Sequence, residues 1–168
     1  MHKHDWYDCR WTIRHIRKRE VIWEISDKRN ILVDEGEKAI VDTFFRNNGS
    51  TYFAASNFYI GLYDGVVAES TVLATLPGEP SGNGYSRQAV ARSSVGFPTL
   101  EQNEGNWRVV SKSLSLTASG GSIGPVNGAF LGTSSDDAGS LIGAIAMGVE
   151  RTILTGDTVT FQLKIKIK

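Results

Sequence analysis

The sequence predicts a mainly β protein: a single antiparallel β-sandwich or jelly-roll-like barrel with one amphipathic helix near residues 35–48. Three observations carry this. Eight or nine short apolar or alternating runs are separated by turn residues at near-regular spacing, which is the signature of sandwiches and barrels. One stretch, and only one, has helical periodicity. The chain closes on TVTFQLKIKIK, where apolar and polar residues alternate without a fault.

Taken in order, Arg10–Ile16 and Val21–Ser26 read as a hairpin, with a charged connection that holds neither Gly nor Asn and so leaves the turn type open. DEGEKAIVDTFFRNNG follows. Asp34 is a candidate N-cap with Glu37 three residues on, while Ile40, Val41, Phe44 and Phe45 share one face and Asn48-Gly49 supplies a stop. Phe58–Tyr63 (FYIGLY) is a buried strand by its apolar, aromatic run. Residues 77–84 (PGEPSGNG) form a loop, since two prolines and three glycines exclude regular structure. Tyr85–Arg92 and Trp107–Ala118 are expected strands, the latter with Val110, Lys112, Leu114 and Leu116 on one face. Ser119–Gly128 is expected to be a loop leading into Ala129–Leu131, and residues 133–140 another. Leu141–Met147 and Arg151–Leu154 read as two further strands. Thr155-Gly156-Asp157 turns the chain into the last strand, whose inner face is Val159, Phe161, Leu163, Ile165 and Ile167 and whose outer face carries lysines.

At 168 residues the chain suits one domain able to bury a core without disulfides or metals. Within it, residues 1–29 form an N-terminal β-hairpin arm and residues 30–168 the sandwich with its helix. The single cysteine, Cys9, excludes an intrachain disulfide. Eighteen Lys and Arg balance eighteen Asp and Glu, so no nucleic-acid partner is expected. Charge is uneven: residues 1–30 hold eight basic and five acidic side chains. The N-terminus lacks the apolar centre of a signal peptide, and no apolar run approaches the ~20 residues needed to span a bilayer. No membrane partner is expected, and synthesis is expected in the cytoplasm.

Chemistry has few footholds. His2, His4, Asp5, Cys9 and His15 are metal-ligand types without zinc-site spacing, so no metal is expected. All three histidines lie in the first fifteen residues and no GxSxG elbow exists, which argues against a serine hydrolase. Asp64, Glu69, Glu79, Asp136, Asp137 and Asp157 are loop carboxylates with no pattern that separates an acid from a base. The glycines of GEPSGNG precede a strand, whereas phosphate loops place theirs before a helix. No cofactor and no enzymatic activity are expected. Aromatic side chains remain, and those of Trp6, Trp11, Trp23, Trp107, Tyr52, Tyr59, Tyr63 and Tyr85 are stacking or packing candidates.

Five pieces occur in a telling order: NILVDEGE (Asn30–Glu37), FYIGLY (Phe58–Tyr63), GEPSGNGYSRQAV (Gly78–Val90), GPVNGAFLG (Gly124–Gly132) and RTILTGDTVTFQLKIKI (Arg151–Ile167). On these pieces, over roughly residues 30–168, the chain resembles a group of small virion structural proteins of tailed bacteriophages. One departure is SSVGFP, with Phe97 where such chains often carry tryptophan. The resemblance implies a β-rich, non-enzymatic protein present in many copies in the virion. Its leading form is a capsid decoration (cement) protein that binds the head exterior as an oligomer, expected to be a homotrimer, with the major capsid protein as partner. The alternative is a tail-associated sleeve, adaptor or fibre-anchoring ring that contacts tail proteins; a glycan-binding module is a further alternative. Candidate interface residues are Trp6, Trp11, Trp23, Tyr85 and Arg87. Arg87 is expected to pair with a loop carboxylate or a neighbouring subunit. The N-terminal hairpin is either the docking element or the first strand pair of the sandwich.

Overall fold

The computed structural model describes residues 7–46, 56–103 and 105–167. The elements are β1 (Tyr7–Arg17), β2 (Glu20–Arg29), β3 (Ile31–Leu32), α1 (Asp34–Arg46), β4 (Asn57–Tyr63), β5 (Gln88–Ala91), β6 (Thr99–Asn103), β7 (Asn106–Val110), β8 (Leu114–Thr117), β9 (Ile123–Gly132), β10 (Leu141–Ile153) and β11 (Thr158–Ile167). A single 3-10 turn spans Leu73–Thr75. Two antiparallel sheets result, as the alternating runs predict. The first has the order β2-β1-β11-β7-β6, with β8 also paired to β11; the second has the order β3-β10-β9-β4-β5.

The hairpin forms, and β1 pairs along ten residues with β11, from Tyr7 opposite Ile167 to Ile16 opposite Thr158. Of the two readings of the hairpin, the structure has β1 inside the first sheet, flanked on both sides. The β1–β2 turn puts Lys18 at φ 48° and Arg19 at φ 71°. Two left-handed residues make a type I′ turn, whose twist matches the strands. Side chains larger than Gly or Asn therefore carry strain there.

The core between the sheets is made by Trp11, Ile13, Phe161 and Leu163 from the first and by Ile60, Leu62, Ala129, Leu131 and Ile145 from the second, all buried. The second sheet also has an apolar outer face. Tyr63, Phe130 and Ala144 meet Val33, Leu73 and Leu141 there, with Val67 and Leu76 packed against them. Both faces of β9 and β10 are thus covered, which explains their near-continuous apolar sequence.

The helix spans Asp34–Arg46. Its first bond runs from Glu37 N–H to the Val33 carbonyl, 2.9 Å. Val33 is therefore the capping position, and Asp34, Glu35 and Glu37 put negative charge into the first turn. Glu35 Oε2 accepts hydrogen bonds from the backbone N–H of Leu73 (3.1 Å) and of Leu141 (2.6 Å), tying the helix start to the loop and to β10. Gly36 stands against the Ile142 backbone, where a Cβ would collide. Ala39 is buried and Ile40 packs on the core, but Val41 is exposed, contrary to its expected place on the inner face. The side chains of Phe44 and Phe45, and the Asn48-Gly49 stop, lie outside the described residues.

Two of the other differences from the sequence reading come from slips of register. Residues 107–118 are not one strand. β7 pairs with β11 so that Val110 faces Lys164, whereas β8 pairs so that Leu114 faces Phe161, a slip of one residue. Such a slip exchanges the faces of a strand. Val110 therefore shares the outer face with Lys164, while Leu114 and Leu116 point into the core. Buried Ser111 holds the break: its N–H donates to the Leu163 carbonyl (2.8 Å) and its hydroxyl accepts from Leu163 N–H (2.9 Å). Conversely, the two strands read at residues 141–147 and 151–154 are one strand, β10, with a register shift between Ala146 and Arg151 and with Gly148 at φ 82°. β9 begins at Ile123, inside the expected loop. β6 went unread because TLEQN carries one apolar residue in five.

Candidate functional site

The GNGYSRQAV stretch becomes a loop and a short strand. Tyr85 N–H donates to the Gly82 carbonyl (2.8 Å), closing a turn, and the strand starts only at Gln88. Tyr85 and Arg87 are diverted into a polar network. The Tyr85 hydroxyl accepts from Leu62 N–H (3.0 Å) and donates to Glu79 Oε1 (2.7 Å). The Arg87 guanidinium grips both oxygens of Glu79 (2.8 and 2.5 Å), Asp137 Oδ1 (2.5 Å) and the Ser134 carbonyl (3.3 Å). It also donates to the Asp136 carbonyl and lies 5.2 Å from the Phe130 ring centre. Only 5% of the Arg87 side chain is exposed. Burial opposes its charge, but the hydrogen bonds of Glu79 and Asp137 outweigh that and raise its pKa. Burial, then Glu79, pushes the Tyr85 hydroxyl up as well. Arg87 thus pairs with loop carboxylates of its own chain, pinning residues 77–87 to residues 133–140 (fork geometry suits the task).

A second network lies in the first sheet. His15 Nε2 donates to Asp157 Oδ2 (2.7 Å), Arg17 donates to both Asp157 oxygens (2.8 to 3.0 Å), and Leu154 N–H donates to Oδ2 (3.2 Å). Asp157 and His15 are buried. Arg17 first, then His15 and the Leu154 amide, hold the Asp157 carboxyl at about 2 against the opposing effect of burial. This is why the TGD turn carries an acid: it anchors the β10–β11 turn to β1.

The remaining candidate interface residues separate. Trp11 is fully buried between the sheets, so it belongs to the core and presents no contact surface. Trp23 on β2 is half-buried beneath the Arg151 guanidinium, 4.7 Å from its ring centre. Trp6 lies outside the described residues, as do His2, His4 and Asp5. Cys9 is buried, and burial pushes its thiol up to about 12. Among the described residues, no three His, Cys, Asp or Glu side chains gather as a metal-ligand group, and no helix is long and apolar enough to cross a membrane.

The structure exposes a surface that the sequence reading passed over. Leu100 on β6 and Trp107 on β7 are 65% and 58% exposed. Leu100 faces Val109, and Val109 faces Ile165 of β11. Since Ile165 alternates with buried Leu163 and Phe161, these residues stand on the core-facing side of the first sheet, where the second sheet does not cover them. A groove of about 470 Å³ runs beside them, lined by Phe58, Arg92, Phe97, Leu100, Val109 and Ile165. The only sequence signal was Trp107 itself. The assumption of one unbroken strand put Val109 on the wrong face.

Comparison with known proteins supplies what geometry alone does not. No curated protein matches the chain. A family described as podophage GP4 fiber I protein gp80 matches residues 32–165, from β3 through nearly all of β11. The resemblance to small virion structural proteins of tailed phages therefore holds, and this chain belongs to the podophage GP4 fiber I protein gp80 family.

Proposed function

We propose that this chain is a non-enzymatic structural component of the phage tail, fibre-related, that works by contact with tail proteins and with copies of itself. The observation that carries this reading is the family match over residues 32–165, whose description names a fiber protein. That description favours the tail over the head-decoration role expected from the resemblance. The architecture supports a mechanical role. Two sheets share a closed core, and the loops between residues 77 and 140 are clamped by Arg87 rather than left open around a cleft. A clamped module of this kind transmits position, not chemistry.

The test is quantitative copy number in purified particles, joined to binding of the recombinant protein to tailless heads and to isolated tails. A few dozen copies or fewer, with binding to tails alone, is the expected result. Hundreds of copies with saturable binding to tailless heads would overturn the tail reading in favour of cement on the capsid.

A further inference from the structure

The two edges of the first sheet are built differently. Edge β2 has a register shift near Asp27, whose φ is 55°, and carries Glu20, Glu24, Asp27, Lys28 and Arg29. Bulges and charge are the devices by which sheet edges refuse another strand. Edge β6 has no bulge and a single charge. Its five residues pair with β7 in unbroken register, and among the described residues no strand pairs with its outer side. Its one charge, Glu101, is already neutralised by Arg108 at 2.6 Å. On its inner face stands Leu100, with Trp107 diagonally behind on β7.

We propose that β6 is the seam of a two-fold contact between copies of this chain, in which the β6 strands pair antiparallel with Leu100 opposite Leu100. Three arguments select a second copy in this register. An edge of unpaired main-chain donors and acceptors is satisfied by a strand, and a two-fold about β6 offers each copy the same self-complementary edge. In an antiparallel pair related by such an axis, residues opposite one another lie on the same face, so only alternate registers are available. The register centred on Glu101 sets the two Glu101 side chains against each other and leaves each exposed leucine opposite Gln102. The register centred on Leu100 sets Glu101 opposite Thr99 and joins the two exposed leucines. It also merges the two uncovered inner faces into one apolar trough floored by Leu100, Trp107 and Val109 of both copies. The contact is short, so the association is weak and is favoured where many copies are held together. It goes beyond the tail reading and does not depend on it.

The experiment uses the full chain in solution. Light scattering at about 100 µM protein should show a dimer, and Leu100→Lys should give a monomer with an unchanged melting temperature. Trp107→Ser should weaken the dimer about tenfold, a size ordinary for an exposed aromatic at an interface. Leu100→Cys should oxidise to a covalent dimer. Thr99→Cys should not, because that residue lies opposite Glu101 and its copy is too distant for a disulfide; Cys9 is buried and does not compete. A monomer at every concentration would overturn the proposal. So would a trimer or larger species that survives Leu100→Lys, or equal crosslinking of the Thr99 and Leu100 variants.

Discussion

The two polar networks are mirror images in their electrostatics. Around Asp157 the acid is buried, 4% exposed, while its cation Arg17 reaches in from the surface. Around Arg87 the cation is buried, while Asp137 lies 68% exposed and Glu79 less so. Each buried ion is satisfied by more groups than one, as a charge taken out of water requires. The lesson is which member of each pair matters. Removing the buried ion strands several partners, whereas removing an exposed one returns a single group to solvent. The two networks also differ in what they join. Asp157 secures a turn to a strand within one sheet, and Arg87 joins two long loops that no backbone ladder connects.

The largest expected effect breaks the second network. Arg87→Ala should cost about 3–5 kcal/mol, because Glu79 and the Ser134 and Asp136 carbonyls lose their donor in a half-buried site. Urea denaturation at neutral pH measures it, and a loss below about 1 kcal/mol would show that the loops hold without the arginine.

Asp157→Asn should cost about 2 kcal/mol by weakening the bonds to Arg17 and His15. Its sharper consequence is in pH. The carboxyl is depressed from 3.8 to about 2, so its contribution is fully present above pH 3.8 and is lost as pH falls through 2. Thermal melts between pH 5 and pH 2 should therefore show the gap between the wild type and Asp157→Asn closing across that window. A gap that stays constant would mean that the carboxylate's charge is not what stabilises the turn.

The smallest effect completes the contrast. Asp137→Asn, on the exposed side of the Arg87 network, should shift stability by no more than about 0.5 kcal/mol. A loss comparable to that of Arg87→Ala would erase the distinction between buried and exposed partners.

Much of the architecture was legible in the residues. The perfect alternation at residues 158–167 predicts β11, and the structure makes it the central strand that joins β1 to β7 and β8. The DEGEK start predicts the helix to within a residue. The candidate site was only half legible. Tyr85 and Arg87 stand out from local turn chemistry and share Glu79 in the same loop, but their other partners, Leu62 and Asp137, are 23 and 50 residues away. Trp11 is a candidate interface residue by its place in a basic hairpin that could dock, yet it is buried between the sheets. Its burial follows only from the ten-residue pairing with β11 at the far end of the chain.

What the sequence by itself determined is the set of local periods and punctuation: which stretches extend, where the one helix starts, and where glycine and proline force turns. These depend on sterics and spacing within a few residues. Which face residues 107–117 bury, and that residues 141–153 form one strand, were decided by the tertiary structure at slips of register, one beside Ser111 and one between Ala146 and Arg151. A single inserted residue reverses a face at no visible cost in composition, because the pleat alternates with a period of two. The slip beside Ser111 also leaves Trp107 and Leu100 on an open sheet face, the surface proposed above for a second copy.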